Sequence, residues 1–241
     1  MTITFFILLF IVALLYASVG HGGASGYLAL MAIYGFAPEV MKPTALILNL
    51  FVSLTSFLLF YKGGHFKWKL FLPFALASIP LSFIGGTIAL DAHIYKKVLG
   101  VLLLFPVIRF FIFPNTDEKD LKEGNLLISI LVGAVIGFLS GLIGIGGGIL
   151  LSPILLLLNW TNQKQTAAIS ALFIFVNSIA GLAGQLSHGI KLEPEMFSFV
   201  AIAFGGGLIG AWFGSLKFNQ KILKYTLAVV LLMASIKLII T

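Results

Sequence analysis

Leu142-Ile143-Gly144-Ile145-Gly146-Gly147-Gly148 in mid-chain and Ser18-Val19-Gly20-His21-Gly22-Gly23-Ala24 near the start are two versions of one element. Each closes an apolar run, and a second, shorter apolar run follows each glycine cluster. Were residues 3–35 one straight helix, it would be about 50 Å long, against a hydrocarbon core of about 30 Å. Consecutive glycines break a helix, whereas packing needs only one small face. The two clusters therefore predict two interrupted helical segments at matching places in the chain.

The surrounding composition sets the solvent. Of 241 residues, 60% are hydrophobic and 10% are charged, and the mean hydropathy is +1.12. A soluble domain has about a quarter of its residues charged, so a water-soluble enzyme is excluded. Apolar runs recur near the membrane-spanning length of about 20 residues. The net charge of +7 comes from short basic links between these runs, which orient a membrane chain and form no nucleic-acid stripe. The chain has no cysteine, which removes disulfides, thiolate-bound metals and thiol carriers. The run Thr2 to Ser18 has no Lys or Arg before it and its closing element recurs in mid-chain, so it reads as part of the bundle and not as a cleaved leader.

The repeat extends beyond the glycines. Thr44-Ala45 and Thr166-Ala167 follow the broken segments. Leu50-Phe51-Val52 pairs with Leu172-Phe173-Ile174, and Ser82-Phe83-Ile84-Gly85-Gly86 pairs with Gly207-Leu208-Ile209-Gly210-Ala211. The expected organisation is a first transmembrane repeat over 1–113, a polar linker over 114–124 and a second repeat over 125–241. The expected helices are 3–18 with 23–35, then 43–61, 69–90 and 96–113; the second half has 126–142 with 147–158, then 165–185, 196–214 and 220–240.

The positive-inside rule separates two topologies. If each broken segment crosses the membrane, the fifteen Lys and Arg divide almost evenly. If each enters and returns, one side holds Lys62, Lys67, Lys69, Arg109, Lys119, Lys122, Lys164, Lys217, Lys221 and Lys224, and the other only Lys42, Lys96, Lys97, Lys191 and Lys237. The second division favours an all-α bundle of two inverted repeats, each a re-entrant helical hairpin plus three spanning helices. Both termini then lie outside the cell membrane, with the linker in the cytoplasm.

Inverted repeats with interrupted helices point to a transporter with a midplane site. Half-helices that start near Gly23 and Gly147 present free N–H groups and a positive dipole end, which suits an anion. Asp and Glu fall only in links or at helix ends, so no intramembrane carboxylate serves a cation. The glycine clusters lack the P-loop's following Gly-Lys-Ser/Thr and the dinucleotide spacing. The candidate contacts are Gly20, His21, Gly22, Gly23, Asn49 and Ser53 in the first half, and Gly144, Gly146, Gly147, Gly148, Ser170 and Asn177 in the second; Ser178 lies on the same span. Gly133, Gly137, Gly141 and Gly206, Gly210, Gly214 are assigned to close helix crossings. Thr44 and Thr166 read as N-caps, and Trp68, Trp160 and Trp212 as interfacial anchors.

GHGGASG at Gly20–Gly26 and GLIGIGGGIL at Gly141–Leu150 resemble the paired motifs of the TauE/SafE family of sulfite and sulfonate permeases. The resemblance covers nearly the whole chain, although His21 stands where the second cluster has Ile145 and Ala24-Ser25 where it has Gly148-Ile149. It implies movement of small sulfur oxyanions or organosulfonates, often outward, without an enzymatic step or a cofactor. The expected partners are that anion and the lipid bilayer, with no nucleic acid, and the lipid-facing surface leaves room for a homodimer. A membrane scaffold without transport and a proton-coupled importer of another small anion are the alternatives.

Overall fold

A computed structural model describes residues 3–18, 22–112, 121–190 and 192–216, together with 232, 235, 236 and 238–240. Water is absent from a bilayer core, so a spanning backbone must bond to itself, and long apolar runs become helices. The described residues form α1 (Ile3–Ser18), α2 (Ala24–Ile33), α3 (Pro38–Lys62), α4 (Trp68–Thr87), α5 (Ala92–Ile112), α6 (Leu126–Ile143), α7 (Gly148–Leu157), α8 (Gln163–Ser187) and α9 (Glu195–Leu216). No strand occurs among them. Five helices, α3, α4, α6, α8 and α9, are long and apolar enough to cross a membrane. Most of the linker and most of the span expected at 220–240 lie outside the described residues.

Element boundaries follow the sequence reading closely, with one informative departure. α3 starts at Pro38 and runs through Pro43, a full turn before the expected start at residue 43. Proline lacks only an N–H that a first turn leaves unpaired anyway, so Pro38 suits the start. Thr44 is consequently interior to α3, its hydroxyl donating to the Val40 carbonyl at 2.6 Å, and is not an N-cap. Thr166 is not one either: Asn162 caps α8 in a reciprocal box with Gln165, while Thr166 donates to the Asn162 carbonyl at 2.8 Å.

Glycines set how closely the helices approach. A methyl group at Gly133 would lie 2.5 Å from the Phe74 carbonyl oxygen, and methyls at Gly137 and Gly141 would overlap the carbonyls of Ser78 and Ser82. α6 therefore lies backbone to backbone along α4, in parallel. Gly206 and Gly210 do the same against the carbonyls of Phe10 and Leu14, which lays α9 parallel to α1. Gly86 of α4 meets the Gly181 carbonyl of α8, and the Ser82 hydroxyl donates to the Asn177 carbonyl at 2.8 Å. The packing assigned to these glycines holds at each described position; the environment of Gly214 lies outside the description.

α3 and α8 pass through the middle of the bundle and run antiparallel. Asn49 reaches Ser178 near their centres, and the start of α3 shares a cleft with His188 at the end of α8. The outer surface is apolar, with Leu76, Val135 and Phe197 among its exposed side chains, as a lipid-facing surface requires. Trp68 and Trp212 are exposed on it. Trp160 departs from the expected anchor: it is 5% exposed and packs its ring against Phe74 at 6.2 Å.

Two alanine substitutions separate crowding from helix propensity. Gly205→Ala meets only a Phe10 ring atom at 3.8 Å and should leave the thermal midpoint in detergent unchanged or slightly higher. Gly137→Ala should lower stability by about 2 kcal/mol, because the Ser78 backbone must move.

Candidate functional site

Both interruptions fall where the glycines cluster. α1 ends at Ser18 and α2 begins after Gly23, whose φ of +92° only glycine adopts without strain. α6 is closed by Gly144 at φ +86°, Gly146 and Gly147 follow at +72° and +78°, and α7 begins at Gly148. Gly20 and His21 lie outside the described residues.

Among the described residues no side chain caps the start of α2 or α7. α3 and α4 lack a side-chain cap as well but start at the exposed Ala37 and Lys67, while α6 and α8 are capped by Asn125 and Asn162. Two buried helix N-termini are thus left with first-turn N–H groups that no side chain claims, and each carries about half a positive charge. Gly144 belongs to the opposite kind of terminus. As the C-cap of α6 it lies against the Lys42 backbone, where an added Cβ would sit 3.1 Å from the Lys42 carbonyl oxygen.

One amide lies beside both breaks. A Cβ on Gly22 would be 2.7 Å from Asn49 Oδ1, and one on Gly146 would be 2.5 Å from Asn49 Nδ2. Ile174 of α8 touches the same two positions, at 2.9 Å in each case. Asn49 of α3 and Ile174 of α8 therefore meet at both breaks.

Polar atoms without protein partners collect here. Asn49 is fully buried; its Nδ2 donates to Ser178 Oγ at 3.3 Å, while its Oδ1 has no partner. Ser53 Oγ, one turn along α3, is buried without a partner, as are Tyr27 Oη and Ser140 Oγ. Tyr27 Oη would be 2.7 Å from a Cβ on Gly23, and Ser140 Cβ 3.5 Å from one on Gly147. A buried hydroxyl or amide oxygen left unpaired is unfavourable by about 1–3 kcal/mol. Several together mark a place built for something besides packing.

The other expected contacts are placed differently. Ser170 Oγ pairs with Ser152 Oγ at 2.8 Å, and Ser152 donates to the Gly148 carbonyl at 2.8 Å, so Ser170 braces α8 against the start of α7. Asn177 Nδ2 donates to the Phe173 carbonyl of its own helix at 2.8 Å, with Oδ1 unpartnered. Tyr27, Ser140 and Lys42 were not singled out by the sequence. The spacing of Tyr27 four residues after Gly23 and of Ser140 four before Gly144 puts each on the helical turn next to a break, a signal that was available. The described residues hold no cluster of His, Asp or Glu able to bind a metal.

Comparison with known proteins agrees with this architecture. The family model described as "Sulfite exporter TauE/SafE" matches residues 5–238. A probable membrane transporter protein of Sinorhizobium fredii is 38% identical over 240 residues, covering 95% of each chain. A probable membrane transporter protein of Methanocaldococcus jannaschii is 30% identical over 202 residues, covering 80% of this chain and 75% of its own. One from Bacillus subtilis is 26% identical over 222 residues, covering 84% and 81%. No solved structure matches.

Ser53→Ala distinguishes a binding hydroxyl from a structural one. Deleting an unpartnered buried group should raise stability by about 1 kcal/mol, read as a higher thermal midpoint, while solute flux falls. A lowered midpoint would assign Ser53 to packing.

Proposed function

This chain belongs to the sulfite exporter TauE/SafE family of membrane transporters, and on that premise we propose that it carries small sulfur-containing anions, sulfite or organosulfonates, out across the cell membrane. The observation that carries this reading is the approach of two uncapped, buried helix starts to one amide, with Gly22 and Gly146 against opposite ends of Asn49. A sulfite or sulfonate head has oxygens pointing in several directions, and when ionised a sulfonate only accepts hydrogen bonds. N–H groups from α2 and α7, the Asn49 Nδ2 N–H not given to Ser178 and nearby hydroxyls are donors of that kind, whereas Asn49 Oδ1 only accepts. Such donors suit a solute that must leave again, because dipoles hold an anion without a fixed opposite charge in the centre.

In this reading Gly22, Gly23, Gly146, Gly147 and Gly148 bring backbone to the anion, and Asn49 and Ser53 supply side chains. Gly144 ends α6 so that the break can form. Ser170 and Asn177 act from the α8 side, and Gly20 and His21 complete the first break. The repeats over 1–113 and 125–241 are inverted. Three observations support that arrangement: α3 runs antiparallel to its counterpart α8, α1 lies along α9, and α6 in the same manner lies along α4. The distribution of Lys and Arg then puts the 114–124 linker in the cytoplasm and both termini outside. A negative-inside potential of 100 mV gives about 2.3 kcal/mol per charge toward expelling an anion, so no coupled ion is required.

Two measurements test this. Purified protein in liposomes at a clamped potential should show saturable sulfite and sulfonate efflux, with sulfate and chloride as controls, and Gly147→Leu should abolish it. Absence of saturable flux for every anion from folded protein would refute the anion reading. Separately, since the chain lacks cysteine, single cysteines at Ala37 and Lys164 should be labelled from opposite faces of the membrane. Labelling from one face would exclude inverted repeats.

A further inference from the structure

Lys42 was expected in a polar link, yet it lies in α3 at 6% exposure. Its ammonium sits over the Tyr95 ring, 4.9 Å from the centroid, and it has no ion pair among the described residues. The Tyr95 hydroxyl donates to the Ile143 carbonyl at 2.9 Å, so the ring beneath the cation is pinned to the end of α6, next to the second break. An aromatic face offsets only part of the desolvation of a buried cation. Glu39, which shares a cleft with Lys42, supplies part of the counter-charge, and a small anion entering that cleft would supply more.

The side chain lines a cleft of about 80 Å³, shared with Pro38 and Glu39 of α3, the chain from Gly86 to Leu90, and His188 and Ile190. That volume suits a small ion. The backbone of Lys42 abuts Gly144, and Asn49 lies seven residues further along α3, about 10 Å down the same face. Lys42, Asn49, Ser53 and Ser56 make one buried polar face of α3, and three of the four carry an oxygen without a partner. The charged neighbour in the cleft is Glu39, which is exposed one turn nearer the surface; His188 at the end of α8 is exposed as well. Water screens the carboxylate there, while the ammonium acts from a less polar depth.

We propose that the Lys42 cleft is the mouth of the anion path at the α3 N-terminal end of the bundle, with Lys42 its charge-selecting residue and a small oxyanion its ligand. The inference rests on the anion-transport reading above. With both termini outside, this mouth faces out, so an exported anion moves from Asn49 along α3 and leaves past the ammonium, and an anion presented from that face meets the ammonium first. Glu39 opposes entry and sets how weakly the mouth holds its ligand, so that an ion bound there can move on.

The test is sulfite flux in vesicles of known protein orientation, with the half-saturation concentration measured from each face. Lys42→Met should raise it by about tenfold for sulfite presented at the Ala37 face, with the maximal rate within about twofold of the parent, and leave the opposite face unchanged. Lys42→Arg should retain the parent value. Glu39→Gln should lower half-saturation at the Ala37 face by about twofold. Equal half-saturation for Lys42→Met and parent at that face, in protein that still needs Asn49 for flux, would overturn this inference alone. Loss of maximal rate from both faces in Lys42→Met and Lys42→Arg together would make Lys42 structural and also overturn it. No sulfite flux from the parent would overturn it along with the transport reading.

Discussion

A hydrocarbon core offers the backbone no hydrogen-bonding partner, so a helix can be interrupted there only where protein surrounds the gap. Everything distinctive in this chain follows from having two such gaps. α2 and α7 have ten residues each, about 15 Å of helix, against an apolar layer about 30 Å thick. Their starts need shelter, and α3 and α8 supply it. The close crossings of α4 with α6 and of α1 with α9 form the wall around that centre. Glycine thus has two separate duties in one sequence: at Gly133, Gly137 and Gly206 it lets helices touch, and at Gly23, Gly146 and Gly147 it permits φ values that end one helix and begin another.

The division between what was legible in the sequence and what was not follows the range of the physics. Helices longer than a dozen apolar residues, and breaks marked by consecutive glycines, are local properties, and the observed boundaries lie within a few residues of expectation except at α3. An expected start at residue 43 leaves Pro38 in the link, whereas Pro38, lacking only an N–H that a first turn leaves unpaired, begins the helix. The meeting of Asn49 and Ile174 at both breaks was hidden because it joins residues far apart in the chain, which no local pattern reports. Burial was the least legible quantity. A tryptophan near a span end and a lysine near a proline both look interfacial in one dimension, and only the packing of Phe74 on Trp160 and of Tyr95 beneath Lys42 places them inside.

The centre and the edge use electrostatics differently. Around Asn49 the described groups are dipoles: helix starts, an amide and hydroxyls, with charge kept out. The nearest buried cation on α3 lies two turns away and rests on an aromatic ring. Dipoles hold an anion by geometry, which discriminates by shape, whereas a buried ammonium acts at longer range and discriminates by sign. Separating the two along one helix face places selection by shape at the centre and selection by sign at the mouth.

The position of Asn49 also bears on how the molecule can move. Its oxygen lies beside Gly22 and its nitrogen beside Gly146, so the rotation of a single side-chain torsion is felt at both breaks. The two half-helix starts consequently share one degree of freedom. A ligand that prefers one orientation of this amide shifts the surroundings of both breaks together, by at most its differential affinity for the two orientations.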